Sequence, residues 1–373
     1  MGTVSVSWPE IHSFRLHRHH LDRPASKVQL VQVVRDACGI QSQFLSAASL
    51  ALRARVRGLT MDDVERALWR DRTLVKAWSM RGALHLLPSE DFPIYNRGLS
   101  SRTSRSMRWM VRRGLTDEDA DAIVAAIVDA LRDGPLRRRE VARRVVAAVG
   151  EKARPWVEHT WGGVLQRATL LGHVVFGPDE GNEITFALRE TWLRAVRDIS
   201  REEAELALMR AYFRGYGPAT VQDFGAWADV AVADAKAIFK RLGDEVAPVT
   251  VSGRASAILR KDARTLRAAR LASPVIRSLP NFDSYLLGHD RKDHLVDEEH
   301  YKRVYRKAGW LSPVVLVDGR VVGVWSYERK GRRLRVRVEP FGKLPRAVRE
   351  GVEAEAQDIA RYFESSEEVT FAS

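Results

Sequence analysis

The stretch Cys38-Gly39-Ile40-Gln41-Ser42-Gln43-Phe44 places two primary amides two residues apart, at the junction of two amphipathic segments. Each carboxamide offers an acceptor oxygen and two donor hydrogens, so a pair held side by side can fix one water molecule or grip a phosphate. In a continuous helix, positions i and i+2 diverge by about 200° at 3.6 residues per turn, whereas in an extended segment they share a side. Convergence therefore demands a non-helical joint, which Gly39 favours. On spacing alone, such a pair is more often an ordinary surface feature than a catalyst.

Other chemistry-bearing residues are sparse. Asp283 in "NFDSYLLGHD" is a lone carboxylate amid apolar residues beside Tyr285, suited either to a reaction centre or, more commonly, to capping a turn. His85 in "RGALHLLP" reads as a packed strand residue rather than a base, and His17, His19 and His20 in "HRHH" read as a solvated helix end rather than a metal site. No Walker loop, H-E-x-x-H, G-x-S-x-G or Cys-His cluster occurs. The single cysteine, Cys38, excludes an intramolecular disulfide framework and a multi-cysteine zinc site, which suits a reducing compartment, and we place the chain in the cytoplasm.

The charge is more informative. Lys plus Arg total 61 against 48 Asp plus Glu, a net of +13, and only 11 of the cations are lysines. Guanidinium forks match phosphate oxygens, so the balance leans towards a polyanionic partner, although a coding bias gives the same excess without one. The densest cluster lies near the C-terminus, where Arg333, Arg335 and Arg337 alternate with Leu334, Val336 and Val338 and so share one face of a strand. Arg329, Lys330 and Arg332 add to the adjoining turn. This basic hairpin suits contact with a nucleic-acid backbone, although charged edges also serve simply to block aggregation. A second run, "SRTSRSMRWMVRRG", carries Arg102, Arg105, Arg108, Arg112 and Arg113, and reads equally well as a solvated linker helix.

These residues need elements to position them. Ser7, Pro9 and Glu10 form a capping-box pattern for a helix over 8–20. Helical spacing over 27–37 and 44–56 brackets the two glutamines, a short capped helix follows at 60–69, and two β-rich runs split by Arg81-Gly82 form a hairpin. Helix, helix, hairpin is the order of a winged helix-turn-helix. It recurs over 115–198 and in part over 199–273, with turns at Gly58, Gly134 and Gly217 that lie 76 and 83 residues apart. Beyond Leu271 the chain turns loop-like, then gives three strands joined at Asp318-Gly319 and Gly331, and a closing helix over 345–363. The expectation is an α+β, mainly α protein. It has three winged-helix units at 1–114, 115–198 and 199–273, and a β-hairpin-rich segment at 274–373. No run approaches the roughly 20 apolar residues of a membrane span.

Five blocks together resemble one known family: "GIQSQ" (39–43), "MRGALHLLP" (80–88), "YFRGYGPATVQDFGAW" (212–227), "LPNFDSYLLGHDRKD" (279–293) and "WLSPVVLVDGRVVGVW" (310–325). In these blocks the chain is similar to the winged-helix DNA glycosylases of the AlkZ type, which remove alkylated bases and unhook interstrand crosslinks. The resemblance implies three tandem winged helices curved into a C-shaped DNA channel. It also implies catalysis by a glutamine, aliphatic, glutamine motif, which falls on Gln41 and Gln43. Ser42 departs from that pattern, being polar where an aliphatic residue is expected.

The implied site is lined by Ser42, Arg81, His85, Asp283 and Tyr285, with Arg329, Lys330, Arg332, Arg333 and Arg335 on DNA. The implied substrate is double-stranded DNA carrying N7- or N3-alkylated purines, with no metal, cofactor or obligate protein partner. A winged-helix transcriptional regulator without chemistry is the alternative. It predicts dimeric, sequence-selective binding, where the glycosylase predicts monomeric, weakly selective binding.

Overall fold

A computed structural model describes residues 4–101, 109–159, 162–181, 183–194 and 196–372. Arg102, Arg105 and Arg108 of the second arginine run lie outside the described residues. The architecture is mainly helical with several small β-sheets, consistent with a winged-helix-like fold. The chain divides into two compact units, one built from residues 1–64, 210–227 and 239–373, the other from 65–209 and 228–238.

In the first unit, the helix Trp8–Arg18 begins at the expected capping box, with the Ser7 amide and hydroxyl both donating to the Glu10 carboxylate at 2.9 and 2.8 Å. Those two hydrogen bonds hold the Glu10 carboxyl below its usual range. The helices Leu30–Asp36 and Leu45–Arg53 follow, with Ile40–Gln41 extended between them. Strand Val246–Val251 pairs antiparallel with Arg254–Leu259 and parallel with Val4–Val6, a strand the sequence pattern did not disclose.

The C-terminal region forms a five-stranded sheet in the order Ile276–Leu279, Val314–Val317, Arg320–Lys330, Arg333–Pro340, Ser366–Phe371. The three expected strands are its centre. Ile276–Leu279, read from sequence as loop, and Ser366–Phe371, beyond the expected closing helix, complete it. The helix Arg346–Tyr362 covers one face, burying Val352, Ala356 and Ile359 against Trp325, Leu334 and Val336. Leu50 joins that core, and Arg53, 4 % exposed, pairs with Glu355 at 3.1 Å and Asp358 at 2.6 Å. The helix after the glutamines is thus docked on the C-terminal helix.

In the second unit, Thr116 caps the helix Asp117–Ala130 by accepting from the Asp119 amide. The helices Arg138–Val149 and Gly163–Leu170 and the hairpin Val174–Glu180 with Glu183–Leu188 complete the helix, helix, helix, hairpin order. The expected hairpin around Arg81-Gly82 is present as Leu74–Trp78 paired with Leu84–Pro88. Among the described residues no helix is long and apolar enough to cross a membrane.

Candidate functional site

The joint that carries the two glutamines follows from how the preceding helix stops. Cys38 and Gly39 both adopt positive φ, at 56° and 88°, and the Gly39 amide closes back on the Val34 carbonyl at 2.9 Å. Two left-handed residues in succession cannot continue a helix, and glycine at the second removes the steric cost of a Cβ there. The chain leaves extended, and helix resumes only at Leu45, after Phe44 at φ −120°, ψ 124°.

Burial gives way to exposure towards the end of the joint. Ile40 and Ser42 are fully enclosed, Gln41 keeps 9 % of its surface and Gln43 is exposed. Gln41 ends the short strand Ile40–Gln41, and Gln43 lies two residues on, exposed, in the bend that leads into the next helix. The Ser42 hydroxyl finds no hydrogen-bond partner among the described residues.

Distant residues hold the joint from behind. The Tyr216 hydroxyl lies 3.2 Å from the Ala37 carbonyl and 3.1 Å from that of Ser284, and the Ser284 hydroxyl donates to the Gly39 carbonyl at 3.0 Å. Gly215 lets this contact close, since a Cβ there would meet the Asp36 carbonyl at 2.9 Å. His19, fully enclosed, packs edge-on against Tyr216 at 4.9 Å and Tyr285 at 5.5 Å. Burial pushes the Cys38 thiol well up, so it stays protonated and is no nucleophile.

Two expected lining residues are corrected. Asp283 accepts both Arg55 guanidinium nitrogens at 2.7 and 2.8 Å, with both side chains fully enclosed, and also accepts the Tyr285 amide at 2.9 Å. It is a buried counter-ion and turn cap, facing no solvent. Tyr285 is only 3 % exposed, its hydroxyl 3.4 Å from both His12 Nδ1 and the Gly319 carbonyl, and burial raises its pKa. Both support the turn that carries Ser284 rather than line an open site.

Arg81 and His85 belong to the second unit. Arg81 occupies the hairpin turn at φ 55°, and His85 is 2 % exposed with Nδ1 3.1 Å from the Ala83 carbonyl. Of the histidines of "HRHH", His17 is solvated as expected, while His20 is half-buried and His19 is not solvated. His17 lies 3.3 Å from Asp22, His20 lies 2.9 Å from Asp36, and His19 is enclosed. Among the described residues no group of three or more side chains is arranged to hold a metal.

In the basic hairpin, Arg333, Arg335 and Arg337 are exposed and alternate with buried Leu334, Val336 and Val338, as the spacing predicts. Two acids temper this charge, Glu368 from the edge strand and Glu339 from the strand that carries the arginines. Glu368 pairs with Arg335 at 3.2 Å, and Glu339 with Arg337 at 3.3 Å. Arg329 sits over the Phe363 ring, 5.5 Å from its centroid. Among the described residues, Lys330, Arg332 and Arg333 at the hairpin tip form no ion pair, which leaves the positive charge concentrated there. The supports of the joint, Tyr216 and Ser284, also escaped the sequence reading, although both lie inside the quoted blocks. Only packing reveals that these blocks meet the one holding the glutamines.

Comparison with known proteins gives a consistent result. A family model described as DNA glycosylase AlkZ-like matches residues 34–362. A curated protein of Streptomyces sahachiroi, "Interstrand DNA cross-link repair glycosylase", is 34 % identical over 370 residues, covering 96 % of this chain and 97 % of that one. The solved structure of Streptomyces sahachiroi DNA glycosylase AlkZ aligns with TM-score 0.88 at 32 % identity, covering 99 % of this chain and all of the other.

Proposed function

Because the chain belongs to the AlkZ-like DNA glycosylase family, we propose that it is a monofunctional glycosylase hydrolysing the N-glycosidic bond of cationic N7- or N3-alkylated purines in double-stranded DNA, and that it unhooks interstrand crosslinks. The observation that carries the chemistry is the joint itself. Gln41 and Gln43 stand two residues apart in a non-helical joint between two helices, the first largely enclosed and the second exposed, with Ser42 enclosed between them.

Hydrolysis of a nucleoside ordinarily requires a protonated leaving base and an activated water, for which carboxylates are the usual equipment. An alkylated purine already carries positive charge and departs neutral, leaving a sugar with oxocarbenium character. No general acid is needed, and what remains is to place a water and stabilise developing charge with fixed dipoles. Gln43, the exposed member, presents its amide oxygen to the water. Gln41, largely enclosed, orients that water or the sugar. Asp283 takes no part, its lone pairs being committed to Arg55 and the Tyr285 amide.

The finer architecture belongs to the same proposal: three tandem winged helices around a DNA channel, with the partition at 114, 198 and 273. So do action without metal, cofactor or obligate protein partner, and a cytoplasmic setting. The tip residues Lys330, Arg332 and Arg333 provide the backbone contacts of the hairpin.

The test is release of free N7-methylguanine from methylated duplex DNA under single-turnover conditions. Gln41→Ala and Gln43→Ala are each expected to slow release on the order of 100-fold. Unchanged release by both variants would remove the catalytic assignment. Absence of release by the unaltered protein from any alkylated DNA would favour the regulator.

A further inference from the structure

Directly after Gln43 stands Phe44, an aromatic residue left 44 % exposed at the start of a helix. Its ring lies 5.8 Å from that of Trp310, itself 39 % exposed, and 6.3 Å from that of Phe282. Phe282 is buried and backs both, edge-on to Trp310 at 5.2 Å. Two large aromatic side chains held open beside each other on a rigid third are unusual on a soluble surface, where such area is normally buried.

The surroundings are charged with one sign. Trp310 borders an open depression of about 730 Å³ shared with Lys302, Arg306 and Lys307. All three cations are exposed, and among the described residues none forms an ion pair. The stretch is anchored to the turn that supports the glutamine joint, because the Tyr305 hydroxyl donates to the Leu286 carbonyl at 2.9 Å. Its position relative to Gln43 is therefore fixed by the fold.

Aromatic faces rimmed by unpaired cations are how proteins hold unstacked bases with their flanking phosphates, the stacking being tolerant of base identity. We propose that Phe44 and Trp310 form a stacking platform for a nucleobase that leaves the duplex at the lesion, with Lys302, Arg306 and Lys307 gripping the adjoining phosphates. The platform deepens the glycosylase reading, since it begins one peptide from Gln43 and would hold the distorted DNA where that amide can reach the sugar.

The experiment uses the full-length protein and a duplex with 2-aminopurine opposite a tetrahydrofuran abasic analogue, so that the fluorescent base is free to unstack. Binding is expected to change 2-aminopurine fluorescence. Phe44→Leu and Trp310→Leu should abolish that change and raise Kd about ten-fold. The KM for N7-methylguanine release should rise by the same factor with kcat near that of the unaltered protein. Trp310→Tyr, which keeps a ring face, should restore binding, and Trp310→Met, which keeps apolar bulk without one, should not; equal recovery by both would reduce the role of Trp310 to packing. Replacing Lys302, Arg306 and Lys307 together by glutamine should reduce the slope of log K against log salt by about three.

Unaltered Kd and fluorescence in both leucine variants would overturn the platform. Weak binding by the leucine variants alongside full activity of Gln41→Ala and Gln43→Ala would keep the platform and sink the catalytic assignment. Inactive glutamine variants with leucine variants that bind as tightly as the unaltered protein would do the reverse.

Discussion

Ser42 concentrates the chemistry of the joint in one side chain. Its hydroxyl is enclosed without a hydrogen-bond partner among the described residues, where the resembling motif carries an aliphatic group. An unpaired buried hydroxyl forfeits its hydration, at a cost of about 1–3 kcal/mol. Ser42→Ala is therefore expected to raise stability by about 1 kcal/mol in urea unfolding, while base release persists because this position faces the interior. A fall in stability would mean that the hydroxyl is satisfied. That the joint carrying the two glutamines is non-helical was readable from Gly39. That Asp283 would be neutralised by Arg55 was not, because the two are 228 positions apart and only the folded packing makes them a pair.

At the scale of elements, the sequence disclosed those whose signals are local. The capping box at Ser7 and Glu10, the stop at Gly39, the turn at Arg81-Gly82 and the alternation of Arg333, Arg335 and Arg337 each act within a few residues. The strands Val4–Val6 and Ser366–Phe371 did not declare themselves. Both are short edge additions whose hydrogen bonds come from partners distant in the chain, Val246–Val251 for the first and Arg333–Pro340 for the second. The second changes the electrostatics of the hairpin, since Glu368 shares the charge of Arg335. Replacing Arg332 and Arg333 together by glutamine is thus expected to lower the salt slope of DNA binding by about two. Arg335→Gln alone should lower it by clearly less than half of what the pair removes, because that guanidinium is already partly compensated. Equal effects at all three positions would show that the edge acids do not shield Arg335.

At the scale of the whole molecule, a set of enclosed imidazoles sets the response to acid. His12, His19, His289 and His294 are each 6 % exposed or less, and burial, aided by nearby guanidiniums, lowers all four pKa values, that of His12 to about 3. In the unfolded chain they titrate near 6.5, so below that pH the unfolded state binds protons that the folded state refuses. Stability is complete about one unit above pH 6.5 and declines as the pH falls through it, by up to about 1.4 kcal/mol per pH unit for each imidazole that stays neutral. Urea midpoints should differ little between pH 8.5 and 7.5, begin to fall by pH 6.5 and drop clearly by pH 5.5. A level profile across that range would show that these rings accept protons within the fold.

The unit that carries the glutamines is stitched from three separated stretches, 1–64, 210–227 and 239–373. Residues 37–43 leave the ribosome early, yet Tyr216 and Ser284, which brace them, emerge far later, and the helix that clamps Arg53 comes almost last. The nascent polypeptide therefore lacks these braces until translation is nearly finished. Products truncated before Ser284 are expected to leave residues 37–43 without their supports, and so to lose base release altogether.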